Sequence, residues 1–202
     1  MNDNDLKQER LTLEVLSTID SERGISQRRL ASQMGVALGL TNSYIKRCVR
    51  KGFVKISEAP ANRYLYCLTP KGFREKSRLT TRFLTNSLSF YRAAAESCER
   101  VYYACREDGI DAVVLCGFSD LAEIAFLKSI DGSVEVRGLY DDEFDRPEFY
   151  SREVWRDTTR MPGLARVLTR IEGAEEMLAR LKTRTPEIPI YVPDVLGVGS
   201  GR

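Results

Sequence analysis

Residues 25–50 read ISQRRLASQMGVALGLTNSYIKRCVR, and this stretch decides the fold of the N-terminal half. Ser26 is a helix-capping residue type, and Leu30, Ala31 and Met34 follow it at helical spacing. The segment predicts a short helix, Gln27–Met34, closed by Gly35. After a brief turn, Leu40-Thr41 opens a longer helix that runs to about Lys51-Gly52. Its inward positions are read as Leu40, Tyr44 or Ile45, Cys48 and Val49, and its exposed set as Thr41, Asn42, Ser43, Lys46, Arg47 and Arg50.

Upstream, Leu6, Leu13, Leu16 and Ile19, widened by Leu11 and Val15, mark a first helix ended by Gly24. Downstream, Phe53–Ser57 alternates as a strand, residues 59–63 form a turn, and Tyr64–Leu68 returns. Thr69-Pro70-Lys71-Gly72 then starts another helix. Three helices and a hairpin in this order place one helix across a DNA backbone and the next in the major groove, with the hairpin as a wing. Thr41, Asn42 and Ser43 are small polar groups suited to base edges or phosphates, while Lys46, Arg47 and Arg50 suit phosphates. Arg63, near the tip of the hairpin, is placed for a minor groove. Charge points the same way. The chain carries a net charge of only +2, yet residues 28–82 hold 13 basic and 2 acidic residues. So local a surplus favours double-stranded DNA as the partner.

Residues 10–76 resemble the MarR-type winged-helix regulators, in the branch associated with exopolysaccharide gene clusters. The resemblance is carried by Ile25-Ser26-Gln27-Arg28-Arg29-Leu30-Ala31, Asn42–Arg47, Gly52–Ile56 and Tyr64–Gly72. It implies a homodimer on a partly palindromic site, with contact roles for Ser43, Lys46, Arg47 and Arg63.

From Lys71 to about Arg106 no proline occurs, and no glycine after Gly72. Leu79, Phe83, Leu84, Leu88, Tyr91, Ala95, Cys98, Val101, Tyr102 and Cys105 recur in steps of mostly three and four, predicting one long amphipathic helix. Such a helix either packs on its own domain or pairs with its symmetry mate, and the pairing fits a two-fold DNA reader.

The C-terminal part reads as a small Rossmann-like α/β domain. Asp111–Cys116 is a buried strand, Gly117–Asp120 a turn, Leu121–Ile130 a helix and Ser133–Tyr140 a second strand. The turn keeps only the first glycine of the dinucleotide fingerprint, with Ala122 at the third position. Two readings follow. In one, Gly117 makes the turn and Asp120 caps the helix. In the other, Gly117, Ser119 and Asp141 bind a small ligand, and Asp141→Ala abolishes that binding at little cost in stability. The segment Gly117–Ala125 is similar to the nucleotide-binding corner of sugar-modifying acyltransferases, which implies a nucleotide or sugar nucleotide as effector. Further on, residues 144–160 read as irregular or partly helical, Gly163–Lys182 as an amphipathic helix and Ile188–Val192 as a last strand with Pro189 at an edge.

The expected architecture is thus α+β / α/β: a winged helix at 1–76, a linker or dimerisation helix at 77–107 and the α/β domain at 108–202. There is no histidine, which excludes Ser-His-Asp, Cys-His and His-ligated metal chemistry. The acids at 141–145 lack the glycine of an EF-hand loop, so no metal site is expected, nor any cofactor. No membrane-length apolar run or signal peptide is read, and five cysteines without a CxxC pair read as free thiols, so a cytoplasmic protein is expected. The expectation is a regulator and not an enzyme. The rivals are a nucleotide-binding or enzyme-derived protein with a helical adaptor, and a nicotinamide-sensing redox regulator.

Overall fold

The computed structural model describes residues 3–22, 25–59, 63–130, 132 and 134–199. The chain divides into two compact units, Met1–Ser87 and Leu88–Arg202. The first contains α1 (Asp3–Ser21), α2 (Gln27–Gln33), α3 (Leu38–Arg50), β1 (Val54–Ala59), β2 (Arg63–Leu68) and the start of α4 (Pro70–Glu107). Ser26 caps α2 as expected, its hydroxyl accepting from the Arg29 N–H. Gly24 and the turn residues Pro60, Ala61 and Asn62 lie outside the described residues.

The core of this unit gathers one stripe from each helix. Val15, Leu16 and Ile19 of α1, Leu30 of α2, Ile45 and Cys48 of α3, and Leu79 of α4 close over Val54 and Tyr66 of the β1–β2 hairpin. The hairpin is antiparallel, with Val54 opposite Leu68 and Ala59 opposite Arg63. Thr69 organises the entry to α4, its hydroxyl accepting from the Gly72 N–H and donating to the Gly52 carbonyl. A Cβ on Gly72 would lie 2.0 Å from the Phe53 carbonyl oxygen, so this close approach of helix to strand requires glycine.

The second unit is a six-stranded sheet in the order β5-β6-β4-β3-β7-β8. The strands are β3 (Ala112–Cys116), β4 (Glu135–Tyr140), β5 (Glu148–Phe149), β6 (Arg152–Trp155), β7 (Ala165–Leu168) and β8 (Ile190–Tyr191), with helices α5 (Asp120–Ser129) and α6 (Ala174–Arg184). All neighbours are parallel except β5–β6. The parallel strands run in the Rossmann order, with β3 flanked by the next strand on one side and a later one on the other. The second half of α4 packs with α5 on one face, through Ala95, Cys98 and Tyr102 against Val113, Leu115 and Leu121. On the other face α6 covers Val114, Cys116 and Leu168 with Met177, Leu178 and Leu181.

Two expectations fail here. Residues 165–168, read as part of a helix beginning at Gly163, form the fully buried strand β7. The real helix starts after Gly173, whose φ of 74° breaks the chain. A short apolar run buried on both faces has no period of its own, so Val167 and Leu168 fit either pattern. Residues 144–160, read as irregular or partly helical, include a short 3-10 helix at Thr158–Arg160 but also hold the unexpected hairpin β5–β6, joined by Tyr150 and Ser151 at φ 49° and 59°. That left-handed pair is the work of Asn-Gly in most hairpins, and Tyr-Ser carries no such signal.

Burial pushes the thiols of Cys98, Cys105 and Cys116 up to about 12 and that of Cys48 up to about 11. Cys67 on β2 is half-buried. A thiol reagent added to the native protein is expected to modify Cys67 alone, with the other four reacting only in denaturant. Peptide mass mapping reads the result, and native labelling at Cys98, Cys105 or Cys116 would contradict the packing.

Candidate nucleic-acid interface

The geometry of α3 follows from its buried stripe. Thr41, Ile45 and Cys48 step by four and three and face the core. Thr41 was expected to be exposed, but it is fully buried, and its hydroxyl donates to the Ala37 carbonyl at 3.3 Å. That bond satisfies the hydroxyl within the helix and lets threonine occupy a core position. The opposite meridian carries Gly39, Ser43, Lys46 and Arg50, all exposed and spaced four, three and four apart. Among the described residues neither Lys46 nor Arg50 has a carboxylate within ion-pair distance. Asn42 is half-buried at the flank of this face.

Arg47 departs from its expected place. It is half-buried, and its Nη1 donates to Oε1 of Gln8 on α1 at 2.7 Å. It lines a cleft of about 240 Å³ among α1, α3 and α4, with Gln8, Lys51 and Glu75. Arg78 there pairs with Glu75 at 2.9 Å, and Arg82 with Glu9 at 2.7 Å. Leu40, expected inward, is 41% exposed. Gly39 and Gln8 were not singled out from the sequence. Only the four-three-four spacing of Gly39, Ser43, Lys46 and Arg50 could have flagged the first of them. Arg63 begins β2, and its side chain lies outside the described residues.

Helix α2 precedes α3 by a tight turn in which Gly35 has φ 61° and the Val36 N–H returns to the Ala31 carbonyl. The β1–β2 hairpin follows directly. Residues 8–55 match the winged helix-turn-helix DNA-binding family. In the winged helix α3 therefore holds the reading position and β1–β2 is the wing. No curated protein matches the chain.

The second candidate site lies at the carboxyl ends of β3 and β4. Gly117 has φ 99°, and a Cβ there would lie 2.2 Å from the Arg170 Cβ. Thr169 and Arg170 both donate backbone N–H groups to the Cys116 carbonyl, at 2.8 and 3.2 Å, and the Thr169 hydroxyl donates to the Gly117 carbonyl. Ser119 donates to the Thr169 carbonyl and accepts from the Leu121 N–H as the N-cap of α5. Ser119, and not Asp120, is therefore the cap.

Asp141 is 3% exposed. It accepts from the backbone N–H groups of Phe118 at 2.7 Å, Glu143 at 2.8 Å and Phe144 at 3.0 Å. Arg170 lies 3.5 Å from it and also pairs with Glu143. The crevice between β3 and β7, where strand order reverses and open α/β sheets take their ligands, is filled by the chain's own Thr169-Arg170. Gly117, Ser119 and Asp141 do come together, but each is engaged in building the turn. No group of three potential metal ligands occurs among the described residues, and no helix there is long and apolar enough to cross a membrane.

Proposed function

We propose that the protein is a sequence-specific DNA-binding transcriptional regulator that acts as a homodimer. The observation that carries this is the outer face of α3. Gly39, Ser43, Lys46 and Arg50 present a close-approach point, a hydroxyl and two cations along one meridian of the reading helix. Ser43 reaches a base edge or a phosphate, and Lys46 and Arg50 neutralise phosphates, releasing counterions from the duplex. Arg47 supports the reader by tying α3 to α1 through Gln8.

Helix α4 supports the dimer. Leu84, Leu88 and Tyr91 stand in the same three-four row as Ala95, Cys98, Tyr102 and Cys105, which are buried in the second unit. The first three are open to solvent. An apolar row left uncovered midway along a helix is what a two-fold mate covers. The resemblance to MarR-type regulators of the exopolysaccharide branch agrees with this reading. The protein acts by binding and not by catalysis, in the cytoplasm where it meets duplex DNA. A nucleotide or sugar-nucleotide effector at the Gly117 corner would have to displace bonds that already engage the Ser119 hydroxyl and the Asp141 carboxylate.

The test is fluorescence anisotropy on duplexes across a salt series. The logarithm of the binding constant is expected to fall linearly with the logarithm of salt concentration. Lys46→Ala and Arg50→Ala should each weaken binding and reduce the slope by about 1. Arg47→Ala should act less through the slope than through the stability of the unit. Affinity that stays constant between about 50 and 200 mM salt would rule the reading out.

A further inference from the structure

We infer that Leu40 is a sequence-reading residue, and that it recognises the C5-methyl group of a thymine in the major groove. The inference rests on the DNA-reading role of α3 proposed above and names part of the sequence that helix selects.

Leu40 lies in the first turn of α3, the end of a reading helix that meets base edges. It is 41% exposed, and it stands beside the polar meridian, whereas Leu38, at 42%, begins the helix on the row of Thr41 and Ile45, away from that meridian. Ser43 follows it one turn on, at the edge of the polar meridian. Gly39 precedes it on that meridian with nothing within 4 Å of where a Cβ would stand, so the backbone can settle deep in a groove. The residue before the helix, Ala37, makes no side-chain cap, and the first turn holds no acid. The N–H groups of Leu38 and Gly39 therefore carry no side-chain cap, while that of Leu40 returns to the Ala37 carbonyl, and no acid in the first turn repels a phosphate. Arg47, two turns further along the flank that holds Leu40, donates to Gln8 on α1. The surroundings fit a polyanion, while the side chain itself is purely apolar. The apolar feature that a major groove offers to such a group is the thymine methyl.

Duplexes recovered from a randomised pool by the unmodified protein provide the probe. Each thymine is replaced in turn by uracil, which removes the methyl group and leaves every hydrogen-bonding atom. One position per half-site is expected to lose about fourfold in affinity on this change, the Boltzmann factor of one buried methyl. Leu40→Ala should bind the thymine duplex about as weakly as the unmodified protein binds the uracil duplex, and should be indifferent to the replacement. Its salt slope should stay unchanged, since no phosphate contact is lost. Circular dichroism and melting should match the unmodified protein, because the side chain is exposed. The inference falls if no thymine is sensitive, or if Leu40→Ala remains as sensitive as the parent. Recovery of no salt-dependent duplex at all would overturn the DNA-reading role itself, a result distinct from either.

Discussion

Replacing both Leu84 and Leu88 by glutamate is expected to give a monomer, measured by light scattering on the eluting protein, with a loss of about 10²–10⁴-fold in affinity for a two-site duplex. Leu84 is 54% and Leu88 55% exposed, so the substitutions disturb little within one protomer. Phe83 and Tyr91 extend the same open patch on α4, at 51% and 42% exposure. Covering four such side chains on each of two protomers stabilises association by about 1 kcal/mol apiece. Glutamate at both positions removes half of that and places four carboxylates in an apolar seam, where each must be desolvated without a partner. DNA affinity follows, because a dimer on two half-sites makes the second contact intramolecular. A variant that still elutes as a dimer would move the seam off α4 to another surface.

Asp141→Ala is expected to destabilise the second unit by about 3–5 kcal/mol, with a drop in melting temperature of roughly 10–20 °C. The carboxylate accepts from three backbone N–H groups, those of Phe118, Glu143 and Phe144, and faces Arg170. Alanine leaves the three donors unpaired in a part-buried turn, at about 1–3 kcal/mol for each that water does not rescue. Asp141→Asn keeps one acceptor and should fall between. Calorimetry on each variant checks both figures. A melting temperature within a few degrees of the parent would show that these bonds are dispensable, and would restore the expectation that Asp141 is a ligand residue held at little cost.

The winged helix was legible because its signals are local. Ser26, Gly35 and the hairpin strands each announce themselves within a few residues, and the family match at residues 8–55 agrees with them. The face of α3 was half legible. Equating polar with exposed misplaced Thr41, although its spacing to Ile45 and Cys48 is that of a buried stripe. The position of Arg47 depends on Gln8, 39 residues away, and no local pattern reports such a partner. The Rossmann-like order was legible as far as β3, α5 and β4, since strand, turn and helix there have separate periods. The crevice was not, because Arg170 reaches Gly117 only after β7 is laid beside β3. β7 itself hides inside an apolar run, and the β5–β6 turn is built from Tyr150-Ser151 where glycine and asparagine are the usual markers.

The central position of β3 has a consequence for how the chain is made. Its five residues, Ala-Val-Val-Leu-Cys, are all buried in the finished sheet, and the strand that covers one edge, β7, starts at Ala165. At ordinary ribosomal speed, the roughly fifty residues from Cys116 to Ala165 take about 3–10 s to appear. During that interval β4 can pair with one side of β3, but the other side offers a bare apolar template to any extended chain nearby. The residues of the winged helix have left the ribosome before this interval begins. The nascent chain therefore passes through a stage with the residues of its winged helix complete and an unpaired apolar strand at its growing end.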